Sequence, residues 1–293
     1  MDRGGLRIMK RQSDDTASIS FTGLYTGEVW RRNDLAPQWL GSGAGPWLYR
    51  GLVPVEWLSR TLGGSNLRTI LLQRHRIMDH LLEHWIREEG VTQVLEIASG
   101  LSPRGHRFRQ CFPELTYVET DMPGMAERKR RALEQEGALS EGHQVVPLNV
   151  FHREGPESME SVVEQCFRPG EPIVVITEGL TSYFTLEDMV PFWERIAALG
   201  ARHPGSRYLM ETYLVPRSGA FSRAIRMGAN ALGRLSDSDV TFHFADAGEV
   251  ERVFRGAGFA GVRVHDPAEY REYVELPSNR GDAVVRVVAA GTG

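Results

Sequence analysis

The sequence predicts an α/β chain: a doubly wound, mostly parallel sheet of seven strands with helices on both faces. Three observations carry that reading. Short apolar runs alternate with amphipathic helical segments through the middle of the chain, the pattern of parallel strands covered on both sides. The run Val94 to Ile97 ends in a bend of small residues, Ala98-Ser99-Gly100, where an open parallel sheet places its ligand crevice. Two further apolar runs close the chain with no helix between them, as expected of strands that pair antiparallel at a sheet edge.

Taken in order, residues 1–18 are polar and aperiodic, the composition of a flexible tail. Residues 19–65 carry Trp30, Trp39, Trp47 and Trp57 among glycines and prolines, with GSGAGP at 41–46 interrupting short helical pieces. This stretch reads as a helical cap over the site, with Tyr25 and Trp30 either walling a substrate pocket or forming satellite core. A regular domain fills 66–293. Its first helix spans 66–89, where Leu67, Ile70, Leu71, Ile77, Met78, Leu81, Leu82 and Trp85 recur at three- and four-residue steps, and Gly90 supplies the stop. Strands are expected at 93–98, 115–120, 144–150, 173–177 and 207–213, separated by helices near 103–111, 124–137, 156–167 and 185–200. An insertion after the fifth strand, about 215–245, is placed to roof the site. A helix at 247–257 and strands at 260–265 and 283–289 complete the domain.

Composition narrows the partners. The chain has 293 residues, 41% apolar and 25% charged, enough for one elaborated domain. A net charge of −4 provides no pull toward nucleic acid or an anionic membrane. Cys111 and Cys166 are the only cysteines, too few for a disulfide framework or a thiolate metal site, and a reducing cytoplasm is the expected location. The start, MDRGGLRIMKRQSDD, has no apolar core of the kind a secretion signal requires, and no segment approaches the roughly 20 apolar residues of a membrane span. The histidines lack ligand spacing, and neither a Gly-x-Ser-x-Gly elbow nor a phosphate loop is present. A small-molecule or peptide partner remains; oligomeric state has no reading at this level.

The bend after the first strand sets the chemistry. Glu96 precedes Ala98, Ser99 and Gly100, whose small side chains let a ligand reach backbone. The next helix offers free N–H groups to an anionic moiety. About twenty residues on, the second strand ends in YVETDMPG, where Asp121 or Glu119 could accept from the two hydroxyls of a ribose. A nucleoside cofactor is therefore favoured. The dinucleotide pattern G-x-G-x-x-G is missing: Ala98 occupies the first glycine position, Gly100 the second, and Arg104-Gly105 are spaced differently from the third. That disfavours a pyrophosphate-bearing cofactor and favours S-adenosylmethionine, which has no phosphate to cradle.

Four separated segments then carry a family likeness: QRHRIMDHLL with Arg74 and Asp79, VLEIASGLSPRGHRF, YVETDMPGMAERKRRAL with Asp121 and Lys129, and VVITEGLTSYFT with Glu178, Gly179 and Tyr183. With SISFTGLYTGEVWRRNDLA near the start, they resemble the leucine carboxyl methyltransferase family, and within it the bacterial polyketide-type O-methyltransferases. The matching blocks run from about 19 to 200 in the family's order. The resemblance implies a Rossmann-like methyltransferase fold with S-adenosyl-L-methionine as cofactor. It implies that Arg74 pairs with the methionine carboxylate, that backbone around Ala98 and Gly100 faces methionine and ribose, and that Asp121 holds the ribose hydroxyls. Met122 would pack on the adenine. Asn149, with Val150 beside it, stands where the family has an acid near the adenine amino group; an amide oxygen can still accept there, without the charge. Glu178 would lie near the methionine amine and the sulfonium, and Glu96 ends the strand beneath. Ala98 and Asn149 are the two departures from the family's pattern.

Simpler readings of the same residues stand beside these. Arg74 could be a surface cation, Asp121 a helix cap, and Glu178-Gly179 a plain turn; ERKRR at 127–131 reads as a solvated helix face. The implied reaction is transfer of a methyl group to a carboxylate or hydroxyl. A carboxylate acceptor needs no base; a phenol or alcohol needs one. His243, between Phe242 and Phe244, is the candidate base and equally a structural histidine, while Tyr183 and Tyr213 are candidate substrate contacts. A nonenzymatic binding protein on this fold and a nicotinamide-dependent oxidoreductase are the alternatives.

Overall fold

Five strands buried along most of their length need cover on both faces, and the fold supplies it. A computed structural model of the chain describes residues 25–41, 67–215, 241–278 and 283–293. In it β1 (Gln93–Ile97), β2 (Thr116–Asp121), β3 (His143–Pro147), β4 (Val174–Thr177) and β5 (Arg207–Tyr213) run parallel. With β6 (Gly261–His265) and β7 (Val285–Gly291) they form one seven-stranded sheet in the order β3-β2-β1-β4-β5-β7-β6. The order reverses beside β1, which places the crevice above β1, β2 and β4.

The two closing strands pair antiparallel, as the sequence suggests, but β7 lies one place inside the edge, antiparallel to both β5 and β6. Burial explains the choice. Val285, Val287 and Val288 of β7 are fully buried, so this strand requires neighbours on both sides. In β6, Gly261 and Arg263 are exposed, and such a strand tolerates the edge. Strand β3 stops at Pro147 rather than 150, since proline has no N–H to continue a ladder.

Each helix begins and ends for a local reason. Helix α1 (Leu67–Glu89) is followed by Gly90 at φ +70°, a left-handed position that suits glycine. Helix α2 (Arg104–Cys111) follows β1, and α3 (Pro123–Gln135) starts with proline in its first turn. Helix α4 (Met159–Cys166) begins three residues later than its apolar pattern because Ser158 caps it, its hydroxyl accepting from the Ser161 amide. Helix α5 (Leu186–Ala198) opens with a capping box between Thr185 and Asp188, and α6 (Ala247–Gly256) with Asp246 as cap.

The faces separate cleanly by strand alternation. Leu95, Val118, Val175, Tyr208, Met210 and Val288 join α4, α5 and α6 in one core. Val94, Tyr117, Val174, Ile176, Leu209 and Val287 meet α1 and α2 in the other. Residues 25–32 are helical, and Tyr25, Val29 and Trp30 pack on Leu71 and Leu72 of α1. Among the described residues no helix is long and apolar enough to cross a membrane. The expected tail, the parts of the cap at 19–24 and 42–65, and the roof at 216–240 lie outside the described residues.

Helix α2 approaches β2 through Gly105. A Cβ there would stand 2.7 Å from Glu119 Cδ and 3.0 Å from His143 Nε2, and closer still to Glu119 Oε1. Glu119 cannot swing away, being fully buried and paired with Lys129 at 3.0 Å. Gly105→Ala should therefore lower stability by roughly 1–3 kcal/mol, the usual cost of overpacking. Urea unfolding reads this directly, and an unchanged midpoint would remove the close-approach argument.

Candidate functional site

The face that meets α1 and α2 turns charged toward the C-terminal ends of its strands. Glu96 sits two residues after Val94 on β1, Glu178 two after Ile176 of β4, and Glu211 two after Leu209 on β5, so all three carboxylates project to one side. All are buried. The cations come from the covering helices: one stripe of α1 carries Arg74, His75 and Asp79 between apolar turns, and α2 brings Arg104.

Arg104 is fully buried and binds three acids: Nε to Asp79 Oδ1, Nη1 to Glu96 Oε1 and Nη2 to Glu178 Oε2, each at 2.6 Å. Tyr117 donates its hydroxyl to the other Glu96 oxygen at 2.7 Å, and Arg107 reaches Asp79 at 2.7 Å. Arg74 uses Nε for Glu178 Oε1 at 3.0 Å and Nη1 for Glu211 Oε1 at 3.1 Å and Tyr213 Oη at 2.8 Å. Glu211 Oε1 also accepts from the Gly179 amide at 2.9 Å. Gly179 has φ +80°, and a Cβ there would meet Arg74 Nη2 at 3.0 Å, so both backbone conformation and space demand glycine.

These contacts set the protonation states. Burial pushes both carboxylates up, but for Glu178 the neighbouring His75, Arg104 and Arg74 outweigh it and hold the acid well below the usual range. At Glu211 burial wins: with Arg74 lowering and Glu178 raising, its pKa is pushed up to about 7. Arg74 and Arg104 are both raised, burial being outweighed by the surrounding acids and, for Arg74, Tyr213. A buried cluster of this kind is costly to break, since removing one partner strands the rest.

A second group lies at the end of β2. Asp121 accepts from the amides of Gly100, at 2.7 Å, and Met122, at 2.8 Å. Burial raises its pKa and those two amides act against it. Ala98 has φ +56° and Gly100 φ +49°, so the bend is left-handed at both positions, and Ala98 adopts a conformation where the related pattern uses glycine. Among the described residues, a Cβ on Gly100 would meet nothing within 4 Å, and the buried Ser99 hydroxyl has no hydrogen-bond partner. Asn149 turns its oxygen inward to accept from the Phe151 amide at 3.0 Å. Its remaining lone pair is what an adenine could use. The loop holding Asn149 and Val150 is anchored beside Asp121, whose carbonyl accepts from the Leu148 amide at 2.9 Å.

A third, aromatic group flanks β4 and β5. Tyr183 lies in the short turn Thr181–Tyr183 and bears electrostatically on Tyr213. Tyr213 meets Phe242 edge-on with ring centroids 6.1 Å apart. His243 Nε2 lies 3.1 Å from the Thr181 carbonyl, which only an N–H can satisfy, so its Nδ1 carries the lone pair. Burial lowers the pKa of His243, opposed by that hydrogen bond, and an imidazole whose Nδ1 carries the lone pair is competent as a base.

The structure thus joins Arg74, Glu96 and Glu178 in one network, Ala98, Gly100, Asp121 and Met122 in a second, and Tyr183 with His243 in a third. Arg104, Glu211, His75 and Tyr117 were not singled out from sequence. For Arg104 a signal existed: a cation in the first turn of a helix opposes the helix dipole and so calls for acidic partners. Glu211 gave none, because an acid inside an apolar strand has no local partner to reveal it.

The raised Glu211 pKa predicts a pH dependence. A carboxyl whose folded pKa exceeds its ordinary 4.5 binds the proton more tightly folded, so its contribution is complete below about pH 4.5 and is lost as pH rises to about 7. Glu211→Gln should abolish that decline in unfolding free energy. Parallel wild-type and variant curves across this window would show that Glu211 carries no such proton.

Comparison with known proteins places the chain. The family model described as leucine carboxyl methyltransferase matches residues 57–197. A Mycobacteroides abscessus protein named "Putative S-adenosyl-L-methionine-dependent methyltransferase" is 32% identical over 152 residues, 52% of this chain and 48% of that protein, so the chain spans about half of that relative. A Mycobacterium bovis protein of the same name is 22% identical over 263 residues, covering 87% and 81%. Among solved structures, a DUF574 family protein from Streptomyces avermitilis aligns with TM-score 0.63 at 14% identity, covering 94% of this chain and all of that one. The apo S-adenosylmethionine-dependent methyltransferase SibL aligns with TM-score 0.51 at 18% identity, covering 85% and 59%. These two likenesses concern the fold. The span that holds Arg74, Glu96, Asp121 and Glu178 lies within the residues that are similar to the leucine carboxyl methyltransferase family.

Proposed function

We propose that the chain is an S-adenosylmethionine-dependent O-methyltransferase acting on a carboxylate or hydroxyl of a small natural-product-like or peptide acceptor, on the polyketide-type side of its family. The observation that carries this reading is Asp121. Its carboxylate is held by two backbone amides at the end of β2, beside an open left-handed bend and an orphaned Ser99 hydroxyl. That is a polar, shaped place for ribose hydroxyls. The charges fit the remainder of the ligand: Arg74 suits a carboxylate, and the acid Glu178 suits an ammonium and a sulfonium.

When bound, the cofactor supplies an electrophilic methyl group on sulfur. The chain's part is to align and to exclude water. Asp121 and the Ala98–Gly100 backbone fix the nucleoside, Met122 and the Asn149–Val150 loop flank the base, and Glu178 fixes the amino-acid end, with Glu96 holding Arg104 against it. The acceptor oxygen approaches from the aromatic side, between Tyr183 and Tyr213. Held by Asp121, Arg74 and Glu178, the cofactor would supply its methyl group to that oxygen and would leave as the neutral thioether. A hydroxyl acceptor also gives up a proton, for which Nδ1 of His243 is the proposed base.

Two substitutions test this. Asp121→Ala should weaken S-adenosylmethionine binding at least tenfold, about the worth of one charge-assisted hydrogen bond or more, while circular dichroism stays unchanged. Calorimetry with wild type should show binding of S-adenosylmethionine and none of NAD; the reverse would move the site to the oxidoreductase class. His243→Asn should cut methylation of phenolic acceptors by roughly 10² or more and leave carboxylic acids untouched. Equal loss on both acceptor classes would remove the base assignment.

A further inference from the structure

The cofactor reading leaves unexplained why an indole from outside the sheet domain is buried against the charged network. Trp30, in the helical segment 25–32, is 3% exposed, and His75 on α1 is fully buried. Their rings meet edge-on, centroids 4.8 Å apart at 87°. The indole Nε1 lies 2.9 Å from His75 Nδ1 and 3.1 Å from Nε2, and His75 Nδ1 lies 2.9 Å from Glu178 Oε2.

Trp30 and Arg104 each bring a donor to 2.9 Å from Nδ1, while the Glu178 carboxylate at 2.9 Å asks a hydrogen of that same nitrogen. The indole N–H can only donate, so one imidazole nitrogen must offer it a lone pair. The Glu178 carboxylate can only accept, so Nδ1 must carry a hydrogen. Both contacts are hydrogen bonds when Nδ1 is protonated and Nε2 accepts from Trp30. Arg104 Nη2 also lies 2.9 Å from Nδ1, because it donates to the same Glu178 oxygen at 2.6 Å. Asp79 Oδ2, 3.5 Å from Nε2, would otherwise favour a hydrogen on that nitrogen, and the indole opposes it.

We propose that Trp30 and His75 are positioning residues for Glu178: the indole holds the histidine in the Nδ1–H tautomer, and the histidine holds the carboxylate in the orientation that receives the cofactor's amino-acid end. Residues 25–32 are thereby a working part of the cofactor site and more than packing on α1. Fixing a ligand's partner through its second hydrogen bond is a general device for imidazoles. The proposal rests on the cofactor reading of Glu178.

Two measurements on the full chain test it. Long-range proton–nitrogen spectra, with His75 assigned by its loss in His75→Asn, should show Nδ1–H in wild type and a shift toward Nε2–H in Trp30→Phe, which keeps an aromatic ring but no donor. Calorimetry with S-adenosylhomocysteine should show Trp30→Phe and His75→Leu weakened about tenfold, the size of one lost hydrogen bond to a charged group. His75→Asn, which can still donate from the Nδ1 position, should recover part of that affinity. An Nε2–H tautomer in wild type overturns the proposal, as does a Trp30→Phe protein with wild-type tautomer and wild-type affinity. A Trp30→Phe chain that fails to fold leaves the wild-type tautomer and the leucine–asparagine contrast to decide. Wild type that binds no S-adenosylhomocysteine refutes the cofactor reading instead, while its spectrum still reports on the indole–imidazole pair.

Discussion

Glu178 is the residue around which the site is organised. Its two oxygens receive Arg74, His75 and Arg104, which arrive from two helices on the same face of the sheet. Arg104 extends the contact to Asp79 and Glu96, and Arg74 to Glu211. The side chains of this assembly are buried, so every charge in it needs a partner in place. The ends of β1, β4 and β5 and the first turns of α2 are tied to one another by that requirement. A buried, ion-paired floor is the outcome.

Above the floor the crevice divides chemically. The side toward β4 and β5 is ionic and suits the charged end of an amino acid. Toward β2, neutral hydrogen-bonding groups dominate: amides of Gly100 and Met122 spent on Asp121, the Ser99 hydroxyl, and the loop organised by Asn149. Beyond β5, Tyr183, Tyr213 and Phe242 form an aromatic flank with His243 at its margin. A zwitterionic end suits the ionic side of this division and a ribose the side toward β2.

Much of the fold was legible because periodicity is a local signal. Short apolar runs located all seven strands, and Gly90 bounded the first helix. Two things were not local. That β7 lies between β5 and β6 depends on comparing the burial of two strands, which their spacing does not express. The partnership of Arg74 with Glu211 spans 137 residues, and no pattern within either segment encodes it. Motif residues such as Asp121 could be found because they lie beside small residues at a strand end. Glu211, His75 and Trp30 gain their roles only when α1 is laid across the sheet. Asn149 shows the limit of motif reasoning in the other direction, for its side chain also serves its own loop.

The most direct measurement is a crystal structure of the full chain with S-adenosylhomocysteine. The account predicts ribose hydroxyls on Asp121, the amino-acid end between Arg74 and Glu178, and sulfur facing Tyr183 and Tyr213. A crevice that stays closed by the Arg74–Glu178 pair, or a ligand held elsewhere on the sheet, would contradict it.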